Sequence, residues 1–157
     1  YSKALSLDPY EMNVLANQAA LFVTAGEFAR ARNNLAGVFV RAGRSPSREV
    51  AKCLFLRAAM EMLEGKDVRE TLQFLRAVLN SKTFVSGPWA MDALRNLLEE
   101  RLSSGDFSLL RAVWEAISEG VKGSALVHLD GWKALPIPEL SGSWAQLLGL
   151  DQRPSAS

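Results

Sequence analysis

Apolar positions recur at steps of three and four through most of the chain. After Gly26 they are Phe28, Ala31, Leu35 and Val38. After Gly65 they are Val68, Leu72 (with Thr71 beside it), Leu75 and Val78, and after Gly105 they are Phe107, Leu110, Trp114 and Ile117. That spacing puts each set on one face of a helix. A second amphipathic stretch precedes each glycine. The first spans about 10–25, with Leu15, Ala19 and Phe22; the second about 47–64, with Leu54, Ala58 and Met62; the third about 88–104, with Leu94, Leu97, Leu98 and Leu102. No stretch alternates with period two for long enough to predict a strand. The three glycines lie 39 and 40 residues apart. The pattern predicts a helix–turn–helix unit repeated three times, each glycine ending the first helix of its pair. Pro46 and Pro88 fall at helix starts, where proline costs least. Residues 1–7 read as the end of a helix with no cap before it, which predicts further repeats upstream.

The composition changes after Gly120. Gly-Val-Lys-Gly-Ser reads as a linker, and Pro136 and Pro138 exclude a helix around them. Ser143 is placed to cap a short helix through Leu148, with Trp144, Leu147 and Leu148 on one side. The chain thus divides into helical repeats over 1–120 and a capping segment with a tail over 121–157. A row of stacked repeats has apolar ends that need cover. Leu126, Trp132, Ile137, Trp144 and Leu147 are expected to cover the last hairpin or to fold back along a groove. A second reading makes Trp132 and Trp144 docking anchors for a partner. A third has the tail occupying the chain's own groove.

Particular residues carry a family likeness. Tyr1, Ala4, Leu7 and Pro9 match the end of one repeat, and Leu15, Ala19, Phe22, Gly26, Ala31 and Leu35 match the next. In these positions the chain resembles the tetratricopeptide repeat (TPR) family. The resemblance is close over 1–43 and looser over 44–120. There the period exceeds the family's ~34 residues, Glu61 and Arg101 stand where a ring is usual, and extra residues fall at 44–47 and 81–87. Armadillo and HEAT arrays stay as alternatives for the later repeats. The resemblance implies an all-α fold, a right-handed α-α superhelix of helical hairpins with an irregular C-terminal cap. It also implies a concave surface, lined by the first helix of each pair, that binds a peptide or protein segment. The exposed positions would be Asn13, Asn17 and Ala20; then Lys52, Phe55, Leu56 and Ala59; then Asp92, Arg95, Asn96 and Glu99. Asn17, Lys52 and Arg57 loosely match the set with which some members of the family clamp a terminal carboxylate.

The remaining chemistry narrows the function classes. The chain has 157 residues, 48% apolar and 22% charged, with a net charge of +1. That balance argues against disorder. Cations are sparse, with only Arg41, Arg44 and Arg48 in the densest stretch, so no nucleic-acid partner is expected. No apolar run approaches the ~20 residues of a membrane span. Cys53 is the sole cysteine, expected as a small buried hydrophobe. A reducing compartment, the cytoplasm first, fits that count without deciding it. His128 is the only histidine, Asp130 is too near it in chain for a triad pairing, and no serine sits in a nucleophile elbow. One His and one Cys do not make an ordinary structural zinc site. Gly120-x-x-Gly123 lacks the strand and the Gly-Lys-Ser/Thr of a phosphate loop. Glu61–Glu64 and Glu99–Glu100 read as solvated faces. The expectation is therefore a protein-binding scaffold with no catalytic residue, cofactor or metal. The alternative is an oligomerisation or regulatory domain of a larger enzyme or membrane-anchored protein, which would allow self-association.

Overall fold

The structure, a computed structural model, describes residues 9–82, 84–119 and 142–149. Among them every regular element is a helix: α1 (Pro9–Thr24), α2 (Phe28–Ala42), α3 (Arg48–Leu63), α4 (Arg69–Leu79), α5 (Asp92–Arg101), α6 (Ser104–Glu119) and α7 (Trp144–Leu147). The leading stretch 1–7, the linker after Gly120, Leu126, His128, Trp132 and Ile137 lie outside the described residues.

The first two turns form as their glycines predict. Gly26 and Gly65 have φ of 80° and 72°. At the first, Gly26 N donates to Val23 O at 3.1 Å and Glu27 N to Phe22 O at 2.8 Å. At the second, Gly65 N donates to Met62 O at 3.2 Å and Lys66 N to Glu61 O at 2.8 Å. Both are Schellman closures, in which a left-handed residue lets the chain reverse while satisfying the last helical carbonyls.

The third unit is built differently. Gly105 lies inside the first turn of α6, and the chain turns at Leu102 and Ser103 instead, with Leu102 extended at φ −99° and ψ 158°. The helix expected from Pro88 begins only at Asp92, and residues 84–91 are non-helical. Trp89 and Met91 turn inward from this stretch and are buried. Where such a stretch turns inward its main-chain groups need partners, and those around Trp89 find them. Arg48 donates to the carbonyls of Gly87 and Pro88, Gly87 N donates to Ile117 O at 3.2 Å, and Trp114 Nε1 donates to Trp89 O at 3.1 Å.

Packing follows from the small residues. Ala16, Ala19 and Ala20 on α1, Ala31 on α2, and Ala51, Ala58 and Ala59 on α3 are all buried, which lets helices approach closely. α1 packs on α2, α3 on α4, and α3 also lies against α1 and α2, so the first two pairs sit side by side. The third pair reaches back, α5 against α1 and α6 against α3. As a result α3 is covered on almost every side and is buried from Val50 to Leu56 and at Ala58, Ala59 and Met60.

The short α7 fits its expected cap. Ser143 Oγ accepts from Gln146 N, and the Gln146 side chain accepts from Ser143 N, a complete capping box. Trp144 is 1% exposed. Its backbone N donates to Gly43 O at 2.7 Å, its indole Nε1 donates to Ser45 O at 2.8 Å, and Phe74 of α4 meets its ring edge-on at 5.8 Å. This helix therefore folds back onto the turn between α2 and α3. Trp144 is an internal anchor, and the expectation that it presents itself to a partner is corrected accordingly.

Candidate interaction surfaces

Several of the expected binding residues converge, but on a residue of the same chain. Trp89 lies edge-on to Phe55, centroids 5.7 Å apart, and the Lys52 ammonium stands 5.3 Å from its ring centroid. Trp89 Nε1 donates to Asn17 Oδ1 at 3.3 Å, and Lys52 Nζ donates to Asn13 Oδ1 at 2.8 Å. Arg95 joins at one remove, its guanidinium 5.8 Å from the Trp114 centroid. Asp92, Asn96 and Glu99 stay exposed on α5.

The exposure expected of the second repeat does not hold. Lys52 and Phe55 are 2% exposed, and Leu56 and Ala59 are 0% exposed. The face of α1 and α3 that would line an open groove carries Phe55 and Leu56, and leaving such side chains in water is unfavourable. Segment 84–91 and the pair α5–α6 supply the cover. Arg57 points elsewhere, pairing with Glu61 at 3.4 Å and Glu70 at 3.7 Å, so the loose carboxylate set of Asn17, Lys52 and Arg57 is not assembled.

Burial brings the Lys52 ammonium down to about 8 from 10.5; the nearby Arg48 charge adds to the effect, while Glu49 and Cys53 oppose it. Burial pushes the neighbouring Cys53 thiol far above its usual value, which makes it an unreactive core residue.

No protein-family model matches the chain, and neither a curated protein nor a solved structure does.

Helical spacing alone places Trp89 in the first turn of a helix and does not reveal that it turns inward. The signal for that is local: in Gly87-Pro88-Trp89 a residue before proline is biased away from helix, and a large ring follows.

Besides an open hollow of about 380 Å³ formed by residues 45–49 with Val85 and Ser86, two surfaces between helices are open. The first is a half-open cavity of about 270 Å³ between α2 and α3. Its floor is Leu35, Phe39 and Met60, with Ala36 on one wall and Leu148, just past α7, on another. Its rim carries Arg32, Arg57, Lys66, Glu61 and Glu64. Arg32 Nη2 lies 2.6 Å from both Glu64 oxygens and holds that carboxyl below its ordinary range; Lys66 approaches the same carboxylate at 3.4 Å. Burial holds the Glu61 carboxyl above its ordinary range, with the Thr71 hydroxyl and Arg57 lowering it in part. The second surface is a shallower cleft of about 190 Å³ between α1 and α5, lined by Ala20, Leu21, Ala90 and Ala93 among others, with Leu21 67% exposed. Among the described residues no group of three or more His, Cys, Asp or Glu could hold a metal ion, and no helix is long and apolar enough to cross a membrane.

Proposed function

We propose that the chain is a non-catalytic, TPR-like helical module that binds protein, with its partner seated on the outside of the helical array. The observation that carries this reading is the α2–α3 cavity. It has an apolar floor that is already formed, an opening on one side, and a rim with both charge signs. An apolar centre within a polar, charged rim is the usual make-up of a protein-binding patch. The inner face supports the reading in a second way. Its side chains hold the 84–91 segment through main-chain carbonyls and one buried indole, the same physics by which a helical groove holds a partner's peptide.

A photo-crosslinking residue in place of Ala36 tests the proposal. Polypeptide adducts formed in a cell extract and lost when the probe is moved to exposed Asn33 are the expected result. Adducts confined to nucleic acid or small molecules would refute it.

The exposed Leu21 favours a second reading, self-association through the α1–α5 cleft. Exposed apolar surface beside small residues suits a helix of another copy. Under this reading the parent chain sediments as a dimer and Leu21→Glu as a monomer. A parent chain that stays monomeric at high concentration would exclude it.

A further inference from the structure

The α2–α3 cavity has the dimensions and polarity to define its ligand more narrowly, and assigning that ligand rests on the reading of the chain as a protein-binding module. Its volume of about 270 Å³ falls just short of the ~300–1,000 Å³ common for pockets that enclose a whole small molecule. It suits a single bulky side chain. Leu35, Phe39 and Met60 give that side chain an apolar floor, and Leu148 adds a wall from the C-terminal segment.

The rim indicates what must surround the side chain. The cations Arg32, Arg57 and Lys66 are matched by Glu61, Glu64 and, beyond the cavity, Glu70. A strongly anionic ligand would meet these carboxylates, and a strongly cationic one the guanidinium groups. An uncharged group with both a hydrogen-bond acceptor and a donor suits the two signs together. A polypeptide main chain offers one of each per residue.

We infer that this cavity is a pocket for one bulky apolar side chain of a partner polypeptide, with the partner's uncharged main chain lying along the Arg32–Arg57–Glu64 rim. One wall of the pocket is present only while α7 is docked, because Leu148 follows directly on the helix that Trp144 anchors at Gly43 and Ser45. Binding at the pocket is therefore coupled to the seating of the C-terminal segment.

Acetyl-Gly-Leu-Gly-amide is the probe, titrated into the isotopically labelled full chain and followed by two-dimensional amide NMR. Saturable shifts at Ala36, Met60 and Leu148 are expected. Acetyl-Gly-Gly-Gly-amide and acetyl-Gly-Glu-Gly-amide are expected to bind at least about tenfold more weakly, a difference of ~1.4 kcal/mol. Ala36→Trp, which fills the cavity from its half-buried wall, should abolish the leucine response while leaving the helical spectrum intact. Leu148→Gln, which opens one wall at the end of the short helix, should weaken it. Failure of the leucine probe to saturate, a preference for the glutamate probe, or an unchanged response in both variants would overturn the inference. Adducts at position 36 together with a silent leucine probe would leave the protein-binding reading standing and remove only this pocket assignment. Loss of the adducts as well would remove both.

Discussion

Lys52 keeps an ammonium group in a helix-packed interior because two neighbours offset part of its burial. Asn13 Oδ1 accepts from Nζ at 2.8 Å, and the face of Trp89 lies 5.3 Å away. The offset is incomplete, since burial still lowers the group to about 8. Stability therefore depends on pH in a definite sense. Below that value Lys52 is protonated in both folded and unfolded chains, and its penalty against folding is fully present. Between about 8 and 10.5 only the unfolded chain holds the proton, so stability rises with pH. Cys53 acts in the opposite sense, because its thiol ionises first in the unfolded chain, so the reference variant must keep it. Relative to Lys52→Met, the parent chain is expected to gain about 1 kcal/mol between pH 7.5 and 9, read from urea denaturation. A difference that stays flat over that range would mean the ammonium is not buried as described. At this scale the stripe residues were legible: Leu35, Val38, Leu72, Leu75, Leu110 and Ile117 are all buried, as helical spacing requires. Lys52, Phe55 and Leu56 were not. Spacing identifies a face, but it does not tell whether a distant segment covers that face.

The elements were most legible where one residue decides the backbone. Gly26 and Gly65 each end a helix with a positive φ, and Ser143 caps α7 with Gln146 as its partner. Gly105 shows the limit of that reasoning. Glycine permits a left-handed turn without requiring one, and in α6 it is an ordinary helical residue in open space. Pro88 shows another limit. Proline is tolerated at a helix start, but it equally suits an irregular strap, and the need to bury Trp89 decides between them. α7 offers a test at this scale. Four residues do not hold a helix by themselves, so its stability comes from the cap and from Trp144. Ser143→Ala is expected to cost about 0.5–2 kcal/mol. Trp144→Ala removes the ring from Phe74 and the donor from Ser45 O, with an expected loss of about 3 kcal/mol. The amide signals of Gly43, Ser45 and Leu148 should shift in both variants, and signals unmoved in Trp144→Ala would mean that α7 does not dock there.

The whole molecule turns on how the third pair is placed. A row of like pairs would set α5 beside α3 and leave one face open; here α5 reaches α1 and α6 reaches α3, with segment 84–91 between them. The longer junction at 81–87 makes this possible, because a short one would oblige α5 to follow directly on α4. The junction was visible in the sequence as extra length, but length alone does not give direction. Direction comes from the side chains that meet Trp89: Asn17 on α1, Lys52 and Phe55 on α3. Trp89 is thus one tie that holds the third pair to the first two, beside Arg48 and the packing of α5 on α1 and of α6 on α3. Trp89→Ala removes a buried indole at a junction of three elements, and a loss of about 3–5 kcal/mol is expected. The loss should also be unevenly distributed. α1 and α2 pack on each other without Trp89 and should keep slow amide exchange, whereas α5 and α6 should exchange faster as they lift from α1 and α3. Hydrogen exchange read helix by helix separates the possibilities. Equal acceleration in all helices would mean a single cooperative unit in which Trp89 has no special place. Unchanged protection in α5 and α6 would mean that contacts other than this indole hold the third pair against the inner face.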